Sequence, residues 1–293
     1  MVSILYALCS NVTFATASLY FTDFSKRVSP SWMNYFKACV AFICFAFVLV
    51  VFQIDLRLSN SSFILLVCSG LAGLMIGDIF LLRAFTHLGS GRVLMVFGFQ
   101  PLLLGIASFY LFGEVFSMYR LLAILFLMGC LFCFSMESFK EKGHWDIHGI
   151  LYALLGVGLD ACGLLMTKKA FDLSPEMSVF LANSIRSGAT VIGFFLVSFI
   201  PFFHLRLAAP FKALTPKDRG LVVMASCLGT FMSLAFYLRA IQIGHLATIS
   251  AIAGTSPLFA TLFEIYKGRK KMTRYLALAI ISFVCGVLIL ISI

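Results

Sequence analysis

Charge is what this chain has little of. Only 12% of its 293 residues are Asp, Glu, Lys or Arg, where a soluble domain carries roughly a quarter. That is too few to coat a water-facing surface, so a soluble globular fold is excluded. The charges that exist cluster in short segments, and the stretches between them are almost wholly apolar: 61% of the chain is hydrophobic and mean hydropathy is +1.05. Strict apolar–polar alternation is missing from those stretches, which excludes the strands of a transmembrane barrel. No basic segment precedes the first apolar run, which speaks against a cleaved signal peptide. Nor is there a phosphate-cradling loop, a metal-ligand cluster or a nucleophile–base motif. His144 and His148 are four apart but have no thiolates nearby, and two histidines make a poor metal site. The sequence therefore reads as a non-enzyme without a cofactor.

Cysteine is present, nine times, but not as a disulfide framework. Cys9, Cys39, Cys44, Cys68, Cys130, Cys133, Cys162, Cys227 and Cys285 mostly sit inside apolar runs. There a thiol behaves as a small hydrophobe, and the CxxC of Cys130 and Cys133 falls in such a run. The formal net charge of +10 suits loops beside anionic lipid. No basic face with interleaved aromatics exists to suggest nucleic acid.

A bilayer crossing takes ~20 apolar residues, so ten crossings would use about 200 and leave only short connections. We read ten spans, at 2–22, 31–53, 62–84, 91–112, 118–137, 148–168, 176–200, 219–240, 246–266 and 273–292. Helices satisfy their own backbone polar groups in lipid, so the fold class is all-α integral membrane.

The chain also repeats itself. Leu82-Arg83-Ala84 returns 156 positions later as Leu238-Arg239-Ala240, and Phe80 and Pro101-Leu102 return at the same offset as Phe236 and Pro257-Leu258. Ile4-Leu5-Tyr6-Ala7-Leu8 returns as Ile150-Leu151-Tyr152-Ala153-Leu154, Asn34 with Lys37 as Asn183 with Arg186, and Ser29-Pro30 as Ser174-Pro175. The polar and proline matches keep one order, which chance similarity of apolar spans does not explain. We therefore divide the chain into residues 1–140 and 146–293, five spans each. An odd number of spans sends the second half into the membrane in the opposite direction. Inverted repeats of this kind build secondary carriers, with the site near the midplane between the halves.

The residues also carry a family resemblance. Gly77-Asp78 through Arg83-Ala84 to Gly89, then Gln100-Pro101 and Phe112-Gly113-Glu114, resembles the EamA-type domain of the drug/metabolite transporter superfamily. Phe236-Tyr237-Leu238-Arg239-Ala240 to Gly244, followed by Ser256-Pro257-Leu258-Phe259, does so again. The resemblance implies a ten-helix carrier, often an exporter of amino acids or other metabolites, and cytoplasmic termini. Where the family often has Trp-Gly in the first helix, this chain has Cys9-Ser10-Asn11-Val12-Thr13. The second repeat lacks the Gly-Glu that closes the first and has Lys267-Gly268-Arg269 instead.

Ionisable groups within spans are expensive and are functional candidates by default. Asp160 and Arg186 lie about ten residues into their spans, or ~15 Å at 1.5 Å per residue, near the midplane. They either form a structural ion pair or stand apart and offer a substrate one anionic and one cationic anchor, with Asn183 on the face of Arg186. Asp78 is also deep. It is five residues from Arg83, a spacing that prevents their pairing. Asp160 and Asp78 are thus the candidate proton carriers. Arg83, Arg239 and Lys37 lie closer to span ends, where snorkelling to phosphate headgroups is the simplest reading. Pro101 and Pro257 should kink matched helices, with Gln100 and Ser256 just before them, and Tyr237 belongs to the second repeat's motif. In the first helix Asn11 and Ser18 share a face that is expected to meet the cavity. Gly70, Gly73 and Gly77 suit close helix packing.

These residues point to a secondary active transporter that exports a small polar metabolite, an amino acid or related compound, coupled to protons and working by alternating access. A lipid or lipid-linked-carrier flippase, gripping phosphate through Arg83, Arg239 or Lys37, is the alternative. The expected setting is the bacterial inner membrane, with lipid and a small-molecule substrate as partners and a monomer or weak homodimer as the assembly.

Orientation follows from counting Lys and Arg. Odd-numbered connections hold Lys26, Arg27, Arg92, Lys140, Lys142, Arg206, Lys212, Lys217, Arg219, Lys267, Arg269, Lys270, Lys271 and Arg274, against Arg57, Arg120, Lys168 and Lys169 at the even ones. The positive-inside rule therefore puts the odd connections in the cytoplasm and both termini outside, against the resemblance.

Overall fold

The computed structural model describes residues 1–88, 90–114, 117–139, 146–199, 208–266, 268 and 271–292. Gly89, residues 140–142, His144, Arg206, Lys267, Arg269 and Lys270, singled out above, lie outside them. The described chain contains ten helices long and apolar enough to cross a membrane: α1 Val2–Ser25, α2 Pro30–Val51, α3 Asn60–Leu88, α4 Arg92–Phe112, α5 Met118–Met136, α6 Ile147–Leu173, α7 Val179–Ser198, α8 Pro216–Ile243, α9 Leu246–Tyr266 and α10 Arg274–Ile291. No strand occurs among the described residues. The protein is an all-α integral membrane protein of two inverted five-helix repeats, α1–α5 and α6–α10.

Helix starts follow local chemistry. Ser29, Ser59, Ser178, Thr215 and Thr273 each place a side-chain oxygen on a first-turn backbone N–H, and Asp146 does the same for α6. These caps satisfy donors that lipid cannot.

The repeats clasp each other pairwise. α2 packs on α7, α5 on α10, α4 on α9, α3 on α6 and α1 on α8. Call the surface holding the odd-numbered connections the basic face, and the opposite one, with both chain ends, the terminal face. Towards the terminal face, an apolar core joins the repeats, from Ile4 and Ala7 of α1 through Leu104, Ile124 and Leu164 to Ile241, Leu246 and Ile252, and a second cluster, with Leu66, Phe171, Leu181 and Leu238, packs α3, α6, α7 and α8 there. Towards the basic face the packing splits into islands. Phe24, Trp32, Met33 and Val222 hold α1, α2 and α8, while Ala84, Leu88, Val93 and Ala153 hold α3, α4 and α6. Val93 of the second island also lines the cavity described below.

Candidate functional site: a cavity between the repeats

Four helices lose regular geometry at matched places around the midplane. α3 widens into a π-helix over Gly70–Gly77, and α8 does so over Cys227–Met232. α4 is interrupted between Phe97 and Gln100, and α9 at Thr255, just ahead of Pro101 and Pro257. The paired prolines thus mark real breaks. Their sequence matches signalled the kinks; the π-segments had no such signal beyond the glycines.

Broken ladders leave carbonyls needing donors, and side chains from facing helices supply them. Proline at 257 cannot donate to the carbonyl of Ala253, and the hydroxyl of Ser256 takes it instead, at 2.7 Å. Asn11 of α1 donates to the Ile252 carbonyl at 2.6 Å and to the Thr255 hydroxyl at 3.0 Å, and its oxygen, 2.8 Å from the Ser256 hydroxyl, shares that group's single proton with the Ala253 carbonyl. In the π-segment of α3, Asn34 donates to the Leu74 carbonyl at 3.1 Å and Thr190 to that of Gly70 at 3.1 Å. Asn183 repeats the role of Asn34 in the other half, donating to Leu234 at 3.1 Å.

These breaks line a cavity of about 320 Å³. Its walls are Phe14, Leu81, Phe85, Val93, Leu94 and Phe97, and its polar positions include Asn11, Asn34, Lys37, Asp78, Gln100, Asp160, Tyr237 and Ser256. Asp160 is held across the repeats: the amide of Gln100 donates to it at 2.6 Å, and Ser250 of α9 donates to the Gln100 carbonyl oxygen at 3.3 Å. Gly73 leaves room for this carboxylate, since a Cβ there would lie 3.3 Å from Asp160 Oδ1. Nearer the basic face, Lys37 Nζ pairs with Asp78 Oδ2 at 3.3 Å.

Several expectations need correcting against this geometry. Lys37 does not reach for headgroups; it turns into the cavity, where Asp78 supplies the counter-charge. Asp160 and Arg186 form no ion pair among the described residues. Arg186 is 1% exposed and absent from the cavity lining. Its Nε donates to Ser69, 3.0 Å away, in a hydroxyl network with Thr167 and the Gly163 carbonyl, and its Nη1 has no hydrogen-bond partner among the described residues. Asn183 also lies off the cavity, drawn to its carbonyl. Ser18 bonds the Ala15 carbonyl, while Ser10 joins Asn11 in the lining. Arg83 is exposed, and Arg239 bonds Gln242 at 2.6 Å beside a separate pocket with Glu176. The three cations of the flippase alternative are not gathered in one cavity.

Lys37 and Asp78 are 41 positions apart and Asp160 and Gln100 are 60 apart; no spacing rule links them. The pairing of Asn34 with Lys37, three residues apart on one helix face, was the available signal for a cavity-facing Lys37.

Comparison with known proteins agrees with this architecture. Residues 1–136 and 147–292 each match the model of the EamA-like transporter family. A solved structure, titled only as a crystal structure of a protein, superposes with a TM-score of 0.78 at 15% identity, covering 98% of this chain and 96% of that one. At that identity the likeness concerns the fold. No curated protein matches the chain.

Proposed function

The chain belongs to the EamA-like transporter family, and from that premise we propose that it carries a small zwitterionic metabolite, an amino acid or close relative, by proton-coupled alternating access. The family supplies the transporter class. The finer reading rests on one observation: a cavity between inverted repeats that presents two carboxylates and one cation. At about 320 Å³ it is at the small end for ligand sites, which run roughly 300–1,000 Å³, and it suits a metabolite better than a lipid.

Asp160 is the ammonium anchor in this reading. It has no ion-pair partner among the described residues, and its held geometry gives a cation a fixed target. The carboxylate anchor passes from Arg186, which lies off the cavity, to Lys37, released from Asp78 when substrate arrives. Apolar walls receive the side chain. Direct binding of an amino-acid panel tests this. Lys37→Met and Asp160→Asn should each weaken binding at least about tenfold, the loss of one charge-assisted contact, whereas Arg186→Lys should act mainly through stability. A panel that binds nowhere, or binds both variants like wild type, would sink the substrate assignment.

Placing the basic face in the bacterial cytoplasm, as the lysine and arginine count does, makes this an inward-open state and export the matching direction. A C-terminal reporter active only in the cytoplasm should then stay dark; a bright one reverses the orientation and leaves the carrier reading untouched.

A further inference from the structure

Alternating access requires whatever closes the terminal face to come apart. Beyond the apolar core, that face carries a group of titratable side chains that the cavity does not use. Glu114, in the connection after α4, stands 3.8 Å from Lys168 Nζ of α6 and 3.4 Å from the His245 ring between α8 and α9. All three side chains are at most 15% exposed.

We infer that Glu114, Lys168 and His245 form the latch that holds the terminal face shut, an assignment resting on the alternating-access reading above. The geometry does more than pair charges. Glu114 Oε2 accepts the backbone N–H of Leu246 at 3.2 Å, so a first-repeat carboxylate caps the start of α9. Lys168 donates to the carbonyls of Ile241 and Gly244 at 3.1 and 3.2 Å, closing the end of α8. Charges of these signs suit those helix ends. One ion pair therefore clamps both helices at their junction and ties them to the other repeat. The inverted counterpart differs in sequence. Gly113 and Gly268 both adopt left-handed backbone, φ 65° and 69°. After Gly113 comes Glu114, but after Gly268 the sequence has Arg269. At these two matched positions the sequence has the acid only on the terminal face.

The latch also senses protons. Burial, then Arg120 and Lys168, hold His245 down at about 4, so it is neutral when the latch is closed. Opening wets the ring and restores it towards its ordinary ~6.5. The closed form is thus favoured above that value and loses this advantage as pH falls from ~6.5 towards 4. Glu114 acts in the opposite sense: burial and Asp172 push it up, and Lys168, the Leu246 amide and Arg120 pull it back. Opening therefore takes up a proton on His245.

The test reads accessibility in sealed vesicles. A single cysteine at the cavity-lining position, Ala253→Cys in a background with the native cysteines replaced, is labelled by a membrane-impermeant maleimide from either face. Wild type should react chiefly from the basic face. Glu114→Gln and Lys168→Met should each speed terminal-face labelling about tenfold or more, while Lys168→Arg stays near wild type. With Glu114→Gln, acidifying the terminal face from about pH 7.5 to 5.5 should add about another tenfold through His245, and His245→Gln should remove that response. Terminal-face labelling at equal rates in wild type and both variants overturns the latch alone. Labelling from the terminal face in no protein at either pH overturns the latch and alternating access together.

Discussion

Replacing Asp160 with asparagine should leave the protein folded and collapse uphill accumulation to the equilibrium ratio. Asparagine has the shape of aspartate, and its carbonyl oxygen can still accept the Gln100 amide, so the Ser250–Gln100–160 chain across the repeats survives. What disappears is the only carboxyl in the cavity that lacks a cation partner among the described residues. A carboxyl without a fixed cation partner can load and release a proton as the cavity alternates; an amide cannot. Exchange of substrate down its gradient should persist more than accumulation does, because exchange needs no coupling ion. The thermal midpoint should move by no more than a few degrees, as 1 kcal/mol corresponds to about 2–4 °C at 150–250 residues. Asp78→Asn should hurt less, since its partner Lys37 is left without a counter-charge but Asp160 remains. Uphill transport unchanged in both variants would eliminate proton coupling through the cavity.

Replacing Gly70 with alanine should damage the fold itself. A Cβ at that position would run into the backbone carbonyl of Arg186, and backbone cannot swing aside as a side-chain tip can. α3 and α7 would have to separate, losing the Thr190–Gly70 and Arg186–Ser69 hydrogen bonds. Overpacking of this sort costs about 1–3 kcal/mol or more, which predicts a midpoint lowered by about 5–10 °C, or failure to obtain monodisperse protein. Gly158→Ala is the control, because a Cβ there meets nothing within 4 Å. Alanine is the better helix former by about 1 kcal/mol, so this variant should be neutral or slightly stabilised. Equal midpoints for the two variants would show that close approach at Gly70 is not what holds the helices together.

The candidate site was partly legible before the structure. Asn11, Gln100, Asp160 and Ser256 stood out because polar groups are rare in such a chain, and all four line the cavity. Arg186 stood out for the same reason and lies elsewhere, buried against Ser69. Depth along a helix can be counted from residue numbers; direction around it cannot be fixed until the neighbouring helix is known. Glu114 was noticed only as the end of a motif, since its partners lie 54 and 131 positions onward.

What the sequence by itself determined is the solvent of each segment. Low charge and long apolar runs require ten helical crossings, and an odd number of them per repeat requires inversion, because backbone polar groups in lipid must be satisfied within each span. The tertiary structure alone decided which helices face each other, and with that which polar side chains meet. Lys37 with Asp78, Asp160 with Gln100, and Glu114 with Lys168 and His245 are contacts between distant segments. They are set by side-chain packing at glycines and broken helices, which hydropathy does not encode.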